Sequence, residues 1–210
     1  GMGALAVDAS VPLVGGDVTR STGPVMLGIT AWGAIGDAGP LLRTEARPGD
    51  LLMVHAVQGI GRSAYGLERW LRCAGEGRGA DPVEAALDPA IRAHLRPETS
   101  WTMGPWAVGQ GATAGMDCSD GLLLDIEKFA VASGVGMEVD LDRLPMDSVC
   151  ASISPESRIA GAEDYGLMVS VPPERSALFE AQGFVTLGKV RVGHGVVWRQ
   201  DGDIVTPSVA

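Results

Sequence analysis

Apolar positions in this chain change period along its length. Stretches that alternate every second residue are interleaved with stretches that repeat every third or fourth, and the mixture predicts a mixed α/β (α+β) fold. Residues 11–14 read as a short strand running into a Gly15-Gly16 turn, and Val25, Leu27 and Ile29 alternate as a second strand ending near Trp32. That pairing would put Asp17 at a strand end. Residues 51–57 form a nearly continuous apolar run, the pattern of a strand buried on both faces. The turn cluster Ala46-Arg47-Pro48-Gly49-Asp50 precedes this run and sets the expected boundary between a domain of residues 1–47 and one of residues 48–210. Gln58-Gly59-Ile60-Gly61 leads into a helix over 63–71, followed by a glycine-rich surface loop over 73–81. Strand, glycine turn and helix are the parts of a phosphate loop, but the spacing matches no dinucleotide or Walker signature and reads as a plain connection.

The second half is patterned more strongly. Leu122, Leu123, Ile126, Phe129 and Ala130 share one helical face, Asp125, Glu127 and Lys128 share the other, and Gly134 is the expected stop. Asp117, Ser119 and Asp120 then sit at the helix entrance. Val135, Met137, Val139 and Leu141 alternate as a strand, and Leu167, Val169 and Val171 as another. A short helix over 177–182 ends at Gly183, and Asp201-Gly202 between two β-rich stretches predicts a hairpin turn.

Composition narrows the function classes. With 210 residues, 46% of them apolar, the chain has enough material for a packed core. Its net charge of −10 argues against a non-specific grip on nucleic acid or anionic lipid, which needs clustered Lys and Arg. Cys73, Cys118 and Cys150 are widely spaced, with no Cys-x-x-Cys, so neither a disulfide framework nor a zinc site is indicated and a cytoplasmic setting is expected. No apolar run approaches the roughly 20 residues needed to cross a bilayer.

Three clusters carry the candidate chemistry: Gly15-Gly16-Asp17-Val18-Thr19-Arg20, Asp117-Cys118-Ser119-Asp120-Gly121-Leu122, and Gly161-Ala162-Glu163-Asp164-Tyr165. Glycine beside carboxylate supplies the oxygen ligands that Mg²⁺ takes when it escorts nucleotide phosphates, so the clusters together suggest phosphoryl transfer. A single Ser or Asp at a helix entrance is ordinarily a cap. Two carboxylates and a hydroxyl within one turn exceed what a cap requires, and a cation should offset them. His55, His94 and His194 lie in a strand, an amphipathic segment and a glycine-rich hairpin, none beside a nucleophile, and read as non-catalytic. Trp101 and Trp106 read as core, with a ring-stacking pocket as the alternative.

Taken in order, Gly-Gly-Asp-x-Thr-Arg-Ser, Arg-Pro-Gly-Asp-Leu, His94-Leu95-Arg96-Pro97-Glu98, Asp-x-Ser-Asp-Gly-Leu and Gly-x-Glu-Asp-Tyr resemble bacterial thiamine-monophosphate kinase over nearly the whole chain. That family belongs to the ATP-binding superfamily of aminoimidazole ribonucleotide synthetase, selenophosphate synthetase and a hydrogenase maturation factor. The resemblance implies a PurM-like C-terminal domain with a remnant of the N-terminal ATP-binding domain. It also implies transfer of the γ-phosphoryl of ATP to thiamine monophosphate with Mg²⁺, and a homodimer. By motif match, Gly16 and Asp17 would meet ATP phosphate and metal, and Arg43 a phosphate. Asp117 and Asp120 would bind Mg²⁺, Ser119 would touch the nucleotide, and Glu163 would face the substrate.

Departures from the family pattern define the alternatives. Family members carry a preceding segment with an Asp-Asp-Ala metal motif and a following aromatic tail, so much of the ATP-binding domain is expected to be missing here and its edge strands exposed. Gly166 stands where the family usually has Glu. A truncated or non-catalytic member that binds a ligand or partner is the second reading, and another superfamily enzyme with a different acceptor is the third.

Overall fold

A computed structural model describes residues 2–75, 88–99, 101–145 and 147–207. The chain separates into two compact units, Gly1–Ala34 and Ile35–Ala210. In the first, helix α1 (Met2–Asp8) is followed by irregular backbone. The strands expected over 11–14 and around 25–29 are absent: Val25, Leu27 and Ile29 are mostly exposed, Leu27 at 91%. Alternation gives a segment a face to bury, but a strand forms only where a second strand takes its N–H and C=O groups, and none does so here.

The second unit is built on one seven-stranded sheet. In chain order its elements are β1 (Leu51–His55), α2 (Arg62–Gly75), α3 (Pro89–Leu95), α4 (Met103–Gly109), β2 (Ala114–Cys118), α5 (Leu122–Ser133) and β3 (Gly136–Asp140). They continue with α6 (Pro155–Ala160), β4 (Gly166–Val171), α7 (Ser176–Glu180), β5 (Val185–Arg191), β6 (Gly195–Gln200) and β7 (Asp203–Val205). Spatial order is β2-β4-β1-β5-β3-β6-β7, antiparallel throughout except for the parallel β3–β6 pair. The predicted α/β class is the one observed.

Two apolar layers explain why β1 is apolar at nearly every position. Leu52 and Val54 point into a core with Leu122, Ile126 and Phe129 of α5 and with Met137, Val139, Met168 and Leu187. Met53 points the other way, into a cluster with Ala107 of α4, Val169, Val171, Phe179 and Phe184. Side chains alternate across a strand, so a sheet covered on both faces needs apolar residues at every position. Each fully buried Leu, Ile or Phe contributes about 1.5–3 kcal/mol. The strand ends at His55, two residues before the apolar run does, where the chain turns through Gly59 at φ +85°.

Other expectations hold with shifted ends. The helix over 63–71 runs on to Gly75, and most of the loop expected over 73–81 lies outside the described residues. Helix α5 stops at Gly134, which is left-handed at φ +66° and donates its N–H to Ala130 and Val131. Asp201 and Gly202 form the tight turn between β6 and β7, with φ of +51° and +85°. Asp50, in the turn before β1, is buried and accepts hydrogen bonds from Thr113 Oγ1 at 2.6 Å and Ser170 Oγ at 2.7 Å. It fastens the starts of β1 and β2 to the end of β4.

Candidate functional site

The Asp-x-Ser-Asp-Gly segment is the turn from β2 into α5. Asp117 is in β2, paired with Leu167 of β4, rather than in the helix entrance where the pattern put it. Residues 119–121 make the turn, and Gly121 is the helix N-cap at φ +104°. A Cβ there would meet the Ala160 carbonyl oxygen at 3.0 Å, so α6 closes on this turn only because it is glycine. No side chain at the N-cap itself caps α5. Asp125, one turn in, reaches back: its Oδ2 accepts the N–H of Ser119 and of Asp120, both at 2.9 Å.

Asp125 is therefore not on the solvated face that periodicity gives it; it is 1% exposed. Its second oxygen accepts from Lys128 Nζ at 2.8 Å, and the same ammonium lies 2.5 Å from Asp120 Oδ2. Hydrogen bonds to Asp120 and Asp125 raise the Lys128 pKa and hold it charged. Ser119 Oγ donates to Asp117 Oδ2 at 2.6 Å. Acidic residues at a helix N-terminus also gain from the macrodipole. The cation that Asp120 and Asp125 meet in the structure is Lys128.

The Gly-x-Glu-Asp-Tyr segment joins this turn. Glu163 N–H donates to the Ser119 carbonyl at 2.8 Å. Glu163 and Tyr165 have φ of +70° and +50°, a left-handed backbone uncommon outside glycine and of order 1–3 kcal/mol each. The contortion sends the middle carboxylate inward. Asp164 is buried and accepts from Gly61 N at 2.6 Å and Ser63 N at 3.2 Å, closing the entrance of α2. Burial pushes its pKa up to about 6, against those two hydrogen bonds and the nearby Arg158 and Arg62. Tyr165 Oη donates to Glu163 Oε2 at 2.5 Å, which raises the tyrosine's pKa.

Beside this rim lies a recess of about 220 Å³ whose wall includes Trp101, Gly104, Asp117, Tyr165 and Leu167. Trp101 is half exposed there. Trp106 packs edge-on against Phe179 at 4.9 Å between ring centroids and is core. Trp106 thus follows the core reading, whereas Trp101 lines a recess and is not core. Gly166, also in the wall, begins β4 against the His55 carbonyl, where a Cβ would come within 3.0 Å.

The remaining candidates are not in these two segments. Gly16 and Asp17 are exposed in the first unit, where Asp17 Oδ1 accepts the N–H of Val18 at 2.8 Å. Arg43 is exposed, and its carbonyl accepts from Ser133 Oγ at 2.8 Å. Ser133 is the last residue of α5, so the Arg43 backbone is held at the far end of the helix whose start carries Asp120, roughly 16 Å along the axis. His55 stacks obliquely on Phe184 with its pKa lowered by burial, His94 Nδ1 lies 3.2 Å from Ser63 Oγ, and His194 is exposed.

Asp117 near the end of β2 and Asp120 in the turn after it are hard oxygen donors, and Mg²⁺ is commonly held by one or two carboxylates together with substrate phosphates. That donor chemistry fits such an ion. Among the described residues no three or more His, Cys, Asp or Glu converge as a closed cage. The sequence pattern put Asp125 and Lys128 on the solvated face of the helix and gave Asp164 no role beyond its cluster. The available signal for Asp125 was an acid one turn into a helix, the position from which a carboxylate reaches back to free N–H groups.

Comparison with known proteins follows the same lines. The family AIR synthase related protein, C-terminal domain, matches residues 47–199. The thiamine-monophosphate kinase of Corynebacterium glutamicum is 33% identical over 196 residues, covering 90% of this chain and 56% of that protein. The crystal structure of thiamine monophosphate kinase from Aquifex aeolicus superimposes with a TM-score of 0.63 at 33% identity, over 80% of this chain and 55% of that one. A structure described as AaThiL complexed with AMPPCP and TMP gives the same score and identity, over 80% of this chain and 52% of that one. The chain spans just over half the length of the curated relative. No helix among the described residues is long and apolar enough to cross a membrane. The chain belongs to the AIR synthase related family, matching its C-terminal domain, and it is similar in sequence and fold to thiamine-monophosphate kinases.

Proposed function

We propose that this chain is part of a kinase that moves the γ-phosphoryl group of ATP onto thiamine monophosphate, giving thiamine diphosphate. The observation that carries the reading is the hydrogen bond from Glu163 N–H to the Ser119 carbonyl, which joins the two acidic motifs into one rim beside the recess of Trp101 and Tyr165. Support comes from the thiamine-monophosphate kinases to which the chain is similar, one related structure being a complex with AMPPCP and TMP. Asp117 and Asp120 would offer oxygens to Mg²⁺, which supplies charge neutralisation to phosphates when bound. Ser119 would contact the nucleotide and Glu163 the acceptor. Gly16, Asp17 and Arg43 would contact ATP phosphates. A planar cationic acceptor ring suits the recess, since its wall combines two aromatic faces with a carboxylate.

Calorimetric titration of the chain with a non-hydrolysable ATP analogue, with and without Mg²⁺, and then with thiamine monophosphate tests this. Metal-dependent binding of the analogue followed by the acceptor is the expected result. Binding of the acceptor without the nucleotide would leave this chain a ligand-binding part whose ATP site lies elsewhere, and binding of neither would sink the proposal.

A further inference from the structure

We infer that Lys128 is the resident counter-cation of Asp120, and that a divalent ion binding Asp120 must compete with it. The inference rests on the reading of Asp120 as a metal donor, and concerns what this chain's own residues do to that site. Three observations lead to it. Lys128 Nζ bridges Asp120 Oδ2 at 2.5 Å and Asp125 Oδ1 at 2.8 Å. Asp125 is committed, with its carboxylate 2% exposed and Oδ2 already accepting two backbone N–H groups. Asp120 is not committed in that way: its side chain is 67% exposed and reaches solvent past the lysine.

These geometries make the two contacts of Lys128 unequal. The bond to Asp125 neutralises a buried charge and is expensive to break. The bond to Asp120 is a surface ion pair of the kind worth little. A divalent ion held by Asp120 would place its charge on the carboxylate that Lys128 now neutralises. The ammonium now 2.5 Å from Asp120 Oδ2 would then face a second positive charge on the same carboxylate, and like-charge repulsion would work against holding both. The lysine's flexible stem lets it turn away while keeping Asp125. The turn therefore stays folded when no ion is present, and the metal affinity of Asp120 is set below what its carboxylate alone would give.

The experiment is titration of the whole chain with Mn²⁺, read by the electron paramagnetic resonance signal of free Mn²⁺, for wild type, Lys128→Met and Lys128→Arg. Removing the competing charge should tighten Mn²⁺ binding about three- to tenfold in Lys128→Met, and Lys128→Arg should stay near wild type. Circular dichroism checks that each variant is folded, with Lys128→Gln as the substitute if Lys128→Met is not. Equal or weaker Mn²⁺ binding in a folded neutral variant overturns this inference and leaves the metal reading of Asp120 in place. Absence of binding to both wild type and the neutral variant overturns the metal reading and the inference together.

Discussion

Glu163 and Ser119 are joined through their backbones, the N–H of Glu163 lying 2.8 Å from the carbonyl oxygen of Ser119. The bond has a consequence for the chemistry, because Glu163 is in the left-handed region at φ +70° and would relax to ordinary backbone if nothing held it. Held there, Glu163 and Asp117 occupy one rim while Asp164, between Glu163 and Tyr165, is turned into the protein. One segment thus presents an exposed acid on the rim and a buried acid to the fold.

Asp125 carries the other half of the rim. Replacing it with Ala would strand the N–H groups of Ser119 and Asp120 and remove the buried partner of Lys128, a loss of about 2–4 kcal/mol in urea unfolding. Asp125→Asn keeps one oxygen for the two N–H groups and should lose about half as much. If the two variants unfold at the same urea concentration, the charge and not the hydrogen bonding is what holds the turn.

Asp50 is expected to behave as a structural residue although it lies in one of the five recognisable motifs. Its Oδ2 takes hydroxyl hydrogen bonds from Thr113 and Ser170 inside the sheet, and Asp50→Ala leaves the fully buried Ser170 hydroxyl without that partner. The expected loss is about 1–3 kcal/mol with ligand affinity in the surviving folded fraction unchanged. A fall in nucleotide-analogue affinity without loss of stability would move Asp50 into the site.

What the sequence disclosed and what it hid follow physical lines. The strand at Leu51–His55, the stop of α5 at Gly134 and the Asp201-Gly202 turn were legible because each depends on local pattern or on a backbone angle that few residues adopt. Strand β2 was not, since Ala-Gly-Met-Asp-Cys contains no β-branched residue and no clean alternation, and its strand state comes from pairing with β4. In β5 the signal is broken by Gly188, which is there because a Cβ would collide with the Glu138 carbonyl at 1.8 Å. The same blindness to pairing worked in reverse over 11–14 and 25–29, where alternation exists and no partner strand does. Motif order located Asp117, Asp120 and Glu163. It could not show that Asp125 turns inward or that Lys128 sits on Asp120, because both depend on how α5 packs.

Trp101 offers a direct probe of the recess. It is half exposed, so Trp101→Ala should cost little stability, under about 1 kcal/mol. Loss of an aromatic face against a cationic ring should weaken thiamine monophosphate about three- to thirtyfold in calorimetry while leaving a non-hydrolysable ATP analogue unaffected. Equal weakening of both ligands would mean that Trp101 supports the site and does not touch the acceptor. Glu163→Gln should share the acceptor-selective pattern, since both residues lie on the same rim.

Asp164 makes stability depend on pH in the direction opposite to most acids. Its pKa is pushed up to about 6 in the folded protein by burial, from an ordinary value of 3.8. Above pH 6 the carboxylate is ionised in folded and unfolded chains alike, and the fold bears the cost of a buried charge. As pH falls through 6 the folded form takes up the proton first, so stability rises until the unfolded chain also protonates near 3.8. The contribution is therefore fully present below 3.8 and lost as pH rises through 6, with a size of order 3 kcal/mol. Asp88 and Glu138, whose pKa values are, against desolvation by burial, lowered by their ion pairs, run the opposite way, so the measurable quantity is a difference. The gap in unfolding free energy between wild type and Asp164→Asn should shift in favour of wild type on going from pH 7 to pH 4.5. A gap that stays constant across that range would show that Asp164 titrates like an exposed acid and that the hydrogen bonds from Gly61 and Ser63 outweigh its burial.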